Sequence, residues 1–432
     1  MDNHGYVIES NWKRSFIPLW VGQIISLLGS GLVQFALVWY ITQQTGSAAM
    51  LTTATLVAIL PEVFLAPFAG ALVDRMNRRL VMIVADAMTA LTTLALVFLF
   101  AFGHIQIWHI FVVLFLRSFG GIFQWPAMQA STALMVPEKH LSRFAGLNQA
   151  VRGGLNIIAP PLGALLMSLL PFYLVIAVDV VTAIFAILPL CFIVIPQPIH
   201  EAPLEIVTPK SVFADVVEGF RYVKNWRGML YLVLTAALLN FLFVPVGTLM
   251  PLVVTQYFHG DVWKLSLLES LVGIGIVLGG LTLGVWGGFK NRMKTSLTGI
   301  IGIGLGVFIF GIAPANFFWI AAVGMMVMGF MNPIANGPLQ AIMQSRVEPQ
   351  YQGRVMGMTN SICTMMMPIA LLLATPIAEL VGLRVWYWAG GSFAMVIGVL
   401  MFFNTEIINL EKTHPAVQSI SISPEQSINP TP

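Results

Sequence analysis

Charged residues are what this sequence has least of. Only 9% of its 432 residues are Asp, Glu, Lys or Arg, against about 25% in an ordinary soluble domain, while 58% are hydrophobic. That balance excludes a water-soluble fold. It suits hydrocarbon as the solvent, because the outer faces of the helices must then be apolar too. Cysteine is nearly absent as well: Cys191 and Cys363 both lie inside apolar runs, where a free thiol behaves as a small hydrophobe, so no disulfide framework or metal site is implied. A nucleotide-binding loop of the form G-x-x-x-x-G-K-[ST] is missing, so ATP is not expected to be the direct energy source and an ion gradient takes that place. No catalytic group and no cofactor is called for. The formal net charge is only +3 and the basic residues are scattered between apolar runs, which argues against nucleic acid as a partner. The first residues, MDNHGYVIESNWKR, lack a short apolar core with a small-residue cleavage site, so the first helix is expected to insert and stay.

What the sequence has in abundance is long apolar runs. A spanning helix needs about 20 mostly apolar residues, and such runs fall at 15–41, 47–73, 80–102, 106–128, 144–170 and 172–195, then at 229–254, 264–288, 295–314, 317–340, 354–381 and 385–404. The expected fold is all-α and integral to the membrane, with twelve transmembrane helices in two six-helix bundles. The expected divisions are 1–196 for the first bundle, 197–228 for a linker, 229–405 for the second bundle, and 406–432 for a disordered Ser-, Pro- and Gln-rich tail. Within the linker, Phe213, Val216, Val217, Phe220 and Val223 recur at helical spacing, which predicts an amphipathic surface helix with Asp215, Glu218, Arg221 and Lys224 facing water.

Positive charge is retained on the cytoplasmic side of short loops. With both termini inside, only Lys264 and Arg384 of the 21 Lys and Arg residues fall outside and Arg117 lies within a helix. The rest read as cytoplasmic, in a bacterial cell membrane. An internal repeat supports the two halves. VPEKHLSRFAGLNQA from Val136 aligns without gaps on VEPQYQGRVMGMTNS from Val347, pairing Arg143 with Arg354 and Gly146 with Gly357, and Gln129 with Gln340 keeps the same register. A weaker match sets Gly70, Asn77 and Arg78 against Gly284, Asn291 and Arg292. Parallel six-helix repeats place a substrate site between the halves, near the midplane. Glycines at four-residue steps, Gly280, Gly284 and Gly288 and also Gly302 and Gly306, are read as close helix contacts.

GALVDRMNRR, from Gly70 to Arg79, resembles the cytoplasmic loop motif of the major facilitator superfamily, G-x-x-x-D-R-x-G-R-R. Asn77 stands where the second glycine is expected and is read as supplying a left-handed backbone. The resemblance implies that this loop makes a charge network controlling alternation between inward-open and outward-open states. Gly70, Asp74, Arg75, Arg78 and Arg79 are its matching residues, with Asp86 as a nearby member. FLRSFGG around Arg117 looks like the family's second motif, whose intramembrane arginine is associated with proton transfer in antiporters. APPLG, Ala159 to Gly163, is a degenerate version of the antiporter motif, with Ala159 in the place of a glycine. NWKR, VGQIISL, TGSA, LVDRMNRR, LFLRSFGG, VPEKHL and the GGF turn together resemble the macrolide-efflux branch over most of the chain.

An ionisable group at membrane depth costs roughly 3 kcal/mol on insertion scales, so each one needs a reason. Glu62, Asp179 and Glu269 are the candidates for carrying a coupling proton, with Arg117 as the cation that tunes them. His109 reads as interfacial. A bulky amphipathic substrate needs apolar walls with few polar anchors, which nominates Gln34, Trp39, Gln124, Trp125, Asn240, Phe241, Asn332 and Asn336 on the first, fourth, seventh and tenth spans. The function expected is a proton-coupled secondary transporter, a monomer, exporting amphipathic drugs of the macrolide kind by alternating access. The alternatives are export of an endogenous metabolite such as a siderophore or lipid precursor, and a non-transporting receptor or assembly factor.

Overall fold

The computed structural model describes residues 12–197 and 209–411; the side chains of Asp74, Phe213, Asp215 and Val216 lie outside that description. Six long helices make the first half: α1 Trp12–Thr45, α2 Ala48–Arg75, α3 Arg78–Ala101, α4 Ile107–Met135, α5 Glu138–Leu169 and α6 Phe172–Phe192. After α7, Pro209–Lys224, a second set follows: α8 Arg227–Leu252, α9 Val262–Trp286, α10 Arg292–Ile312, α11 Phe318–Arg346, α12 Pro349–Val381 and α13 Val385–Phe403, with a short α14 at Thr405–Ile408. One π-helical turn, Val253–Tyr257, extends α8. Twelve of these helices are long and apolar enough to cross a membrane, and no strand occurs among the described residues.

The helices outrun the apolar stretches that announced them. The α4–α5 and α11–α12 pairs continue through charged residues to the turns at Val136 and Val347, because backbone bonding continues an α-helix past the hydrocarbon boundary. These turns are the repeat read in the sequence: Val136 and Val347 both close a helix, and the next helix opens two residues later in each half. The weaker repeat is also structural. Asn77 caps α3 by accepting from the Leu80 amide at 3.2 Å, and Asn291 caps α10 by accepting from Lys294 at 3.2 Å. Asn77 is therefore not a stand-in for a left-handed glycine; its φ of −65° is extended backbone, and its side-chain oxygen satisfies a helix-start amide.

In the first half α1 packs on α6 and α5, and α3 lies between α4 and α6; in the second, α10 is clasped by α11 and α13. The close approaches come from glycines. A Cβ on Gly279 or Gly275 would fall on the backbone of α11, and one on Gly306 would strike Gly324 and Met328. Gly302 and Gly306 pack as expected. Gly280 and Gly284 do not: a Cβ on either would meet no neighbouring element within 4 Å, and Gly288 serves a turn at φ +80°. The contact face of α9 is one residue out of register with the stripe the sequence suggested.

The linker helix forms at α7, with Val223 buried and Arg221 and Lys224 exposed as expected, but its docking face is turned partway from the expected stripe. Val217 and Phe220 are exposed, whereas Gly219 sits against the Arg354 backbone, Val223 is buried and Tyr222 stacks on Tyr351 at 4.7 Å. Glu218 accepts from Arg354 at 2.7 Å. The tail drawn from 406 does not begin as disordered chain. Asn404 caps α14, and Ile407 and Leu410 are buried beside Gly228; the remainder from 412 lies outside the described residues.

The candidate transport cavity

Between the halves lies a cavity of about 1050 Å³, walled mainly by aliphatic, Met and Phe side chains of α1, α5, α8, α9, α10 and α11. Hydrogen bonds joining the two halves gather at one end of it, beside the α1–α2 loop. Gln256 donates to the Gly46 carbonyl at 2.6 Å, and Thr52 and Thr375 share a hydrogen bond at 2.6 Å; further along the cavity wall Ser270 of α9 donates to the Ile157 carbonyl of α5 at 3.1 Å. The lining continues toward the opposite end as far as Met293, Met401 and Ile407.

Of the residues nominated for substrate, Gln34, Asn240, Asn332 and Asn336 line this cavity. Gln34, Asn332 and Asn336 are exposed into it, and the amides of Asn240 and Asn336 donate back to Ala236 and Asn332 carbonyls at 2.9 and 3.1 Å. The other four are elsewhere. Trp39 packs against the core, Phe241 meets Trp386 edge-on at 6.2 Å, Trp125 lies beneath the Arg152 guanidinium at 3.5 Å, and Gln124 turns inward to Asp86. Trp39 and Phe241 are on helices that line the cavity but on another face of them, whereas Gln124 and Trp125 are on α4, which contributes no lining residue; several apolar neighbours left the inward face unreadable in sequence.

The buried charges separate into three environments. Asp179 on α6 is 1% exposed and sits inside the first half, accepting from Arg117 of α4, from Ser30 at 2.8 Å and from Thr93 at 2.9 Å. One to two turns nearer the α2–α3 loop, Asp86 of α3 accepts from Gln23 at 2.9 Å and from Gln124, which also donates to Gln23 at 2.6 Å. Asp86 thus belongs to an amide cluster binding α1, α3 and α4, and not to the loop's charge network as the sequence suggested; a carboxylate buried at 3% exposure takes the donors that packing brings to it. Glu269 of α9 alone of the three proton candidates lines the cavity, with no hydrogen-bond or ion-pair partner among the described residues. It lies two turns inside α9, deeper than the outer-end position its sequence context suggested. Glu62 is exposed on α2 and is not among the cavity-lining residues.

Arg152 is a cavity residue that the sequence reading missed. It was counted among the cytoplasmic cations, yet it lies midway along α5 and lines the cavity. The signal was present: the apolar run assigned to the fifth span, 144–170, contains it.

At the α2–α3 loop, Arg79 donates to the Leu190 and Cys191 carbonyls at 2.6 Å each, closing the end of α6, and the Arg78 amide donates to Gln197 at 3.3 Å. Arg75 is exposed at the end of α2, and Gly70 has open space beside it. His109 caps its own helix by accepting from the Gln106 amide at 3.0 Å.

The sequence profile of the Major Facilitator Superfamily matches residues 19–371. Macrolide efflux protein A of Streptococcus pyogenes is 32% identical over 402 residues, covering 93% of this chain and 98% of its own. The multidrug efflux pump Tap of Mycolicibacterium fortuitum is 26% identical, covering 89% and 94%. Among solved structures, the nucleoside transporter NupG superposes with a TM-score of 0.70 over 91% of this chain and 100% of its own at 14% identity, a likeness of fold alone. Twelve spans in two repeated halves, a shared cavity and a matching profile lead to one conclusion: the chain belongs to the major facilitator superfamily of membrane transporters, in its macrolide-efflux branch.

Proposed function

We propose that this protein is a proton-coupled exporter of bulky amphipathic molecules, macrolide-like antibiotics among them. It works as a monomer in a bacterial cytoplasmic membrane, with both termini in the cytoplasm, by rocking its halves about the central cavity. The observation that carries this reading is the cavity itself. At about 1050 Å³ it stands at the top of the roughly 300–1,000 Å³ range of small-molecule sites, and its apolar walls carry five amides and two charges. The bonds clustered beside the α1–α2 loop fit a cavity closed to the outside and loaded from within.

Alternating access needs contacts made in one state only. This reading assigns them to the α2–α3 loop, with Asp74, Arg75, Arg78 and Arg79, at the cytoplasmic end. Glu269 is the coupling carboxylate this reading favours, since it faces the cavity with no partner among the described residues, whereas Asp179 is already neutralised by Arg117. The test is purified protein in liposomes: an imposed pH difference drives uptake of tritiated macrolide against its gradient. Uptake of a different solute under the same gradient would point to an endogenous metabolite, and no gradient-driven uptake of any solute would end the transporter reading.

A further inference from the structure

The cavity holds two opposite charges that do not neutralise each other. Arg152 on α5 and Glu269 on α9 both line it, on helices that pack directly together. Among the described residues neither makes an ion pair, and Glu269 makes no hydrogen bond. Packing keeps them apart. The two helices run antiparallel in register, with Ser270 bonded to Ile157, Gly273 pressed against Ile157 and Gly153 facing Val277. Arg152 therefore lies level with about Val277, eight residues beyond Glu269, or roughly 12 Å along the axis at 1.5 Å per residue. Its guanidinium face rests on Trp125 at 3.5 Å, which fixes the group while leaving its N–H edge free to donate.

Unpaired charge in a low-dielectric chamber is costly and marks a ligand or ion path. Two such groups at different levels of one cavity define a ligand with two unlike ends. We propose that Glu269 and Arg152 form a two-point recognition site, in which Glu269 takes a protonated amine near the closed end of the cavity and Arg152 donates to carbonyl, hydroxyl or carboxylate oxygens about two helical turns further along it. The inference rests on the exporter reading and names its substrate class: molecules with a basic amine at one end and an oxygen-rich body at the other. A lipophilic cation without oxygens uses only half the site, and a neutral oxygen-rich molecule uses only the other half.

The test is equilibrium binding to the full chain in lipid nanodiscs with three tritiated probes: an aminosugar macrolide, the same macrolide with its amine converted to an uncharged amide, and a lipophilic tertiary amine without oxygens. Wild type should favour the amine macrolide over the amide by about tenfold, the size of one charge contact of roughly 1.4 kcal/mol. Glu269→Gln should erase that preference and weaken the lipophilic amine equally. Arg152→Gln should weaken both macrolides and leave the lipophilic amine unchanged. Glu269→Asp and Arg152→Lys, which keep the charges, should recover part of each loss, and this guards against misfolded variants.

Equal wild-type affinity for amine and amide, or an Arg152→Gln loss that includes the lipophilic amine, overturns the proposal. Parallel uptake assays separate it from the exporter reading. Gradient-driven transport that treats amine and amide alike removes this proposal only, the expected selectivity without gradient-driven transport removes the exporter reading only, and a wild type that binds none of the probes removes both.

Discussion

The Arg117 guanidinium of α4 donates to the Asp179 carboxylate of α6, and both groups lie inside the first bundle and away from the transport cavity. Ser30 and Thr93 complete the carboxylate's partners, so four helices meet at one neutralised pair. Breaking such a pair from one side leaves a buried charge alone, at a cost of about 3–5 kcal/mol, while replacing both partners by apolar residues is often neutral. Arg117→Met and Asp179→Leu should each lower the thermal midpoint of the detergent-solubilised protein strongly, and the double variant should recover most of it. A midpoint unchanged in both single variants would show that the pair holds nothing together.

Gradient coupling is tested by comparing Glu62→Gln, Asp179→Asn and Glu269→Gln in liposomes. On the proposed reading, in which the cavity-facing carboxyl loads the coupling proton, Glu269→Gln is expected to keep downhill exchange of macrolide and to lose uphill, pH-driven uptake. Asp179→Asn should instead reduce the yield of folded protein. If all three variants still concentrate substrate, none of these carboxyls carries the coupling proton.

The closed end offers a direct test of motion. Thr52 and Thr375 share a 2.6 Å hydrogen bond across the halves, so cysteines at both positions stand close enough to bridge, subject to the usual Cβ separation of about 3.5–4.5 Å. Oxidation of Thr52→Cys/Thr375→Cys should arrest transport and dithiothreitol should restore it. Full activity in the fully oxidised protein would mean that this end never opens.

Adjacent glycines on α9 should behave oppositely. Gly279 faces the Phe330 carbonyl and has no room for a side chain, whereas Gly280 has open space. Gly279→Leu is expected to abolish accumulation of folded protein in the membrane, and Gly280→Leu to leave it near wild type, as read by fluorescence-detected gel filtration.

At the α2–α3 loop, Asn77→Ala removes a helix cap and should cost about 1 kcal/mol, whereas Asn77→Gly should cost only a few tenths. The two variants can be ranked by thermal midpoint. Equal midpoints would show that the bond to the Leu80 amide adds no stability.

The sequence by itself determined the solvent, the number of spans, the two halves and the family. Each of these depends on features that add up along the chain: apolar runs long enough to cross hydrocarbon, positive residues gathered in the loops between them, and the turns repeated at Val136 and Val347. Tertiary structure decided which way side chains face and what they meet. Gln124 and Asn240 are both amides on apolar helices, yet one turns to Asp86 and the other to the cavity. Arg152 reads as a cytoplasmic cation until α5 is seen to carry it into the cavity, and Glu269 reads as one of three equivalent proton candidates until α9 is docked on α5. In a membrane both faces of a helix are apolar, so periodicity cannot mark the inward one. Only packing between helices distant in the chain assigns each polar group to lipid, bundle core or cavity.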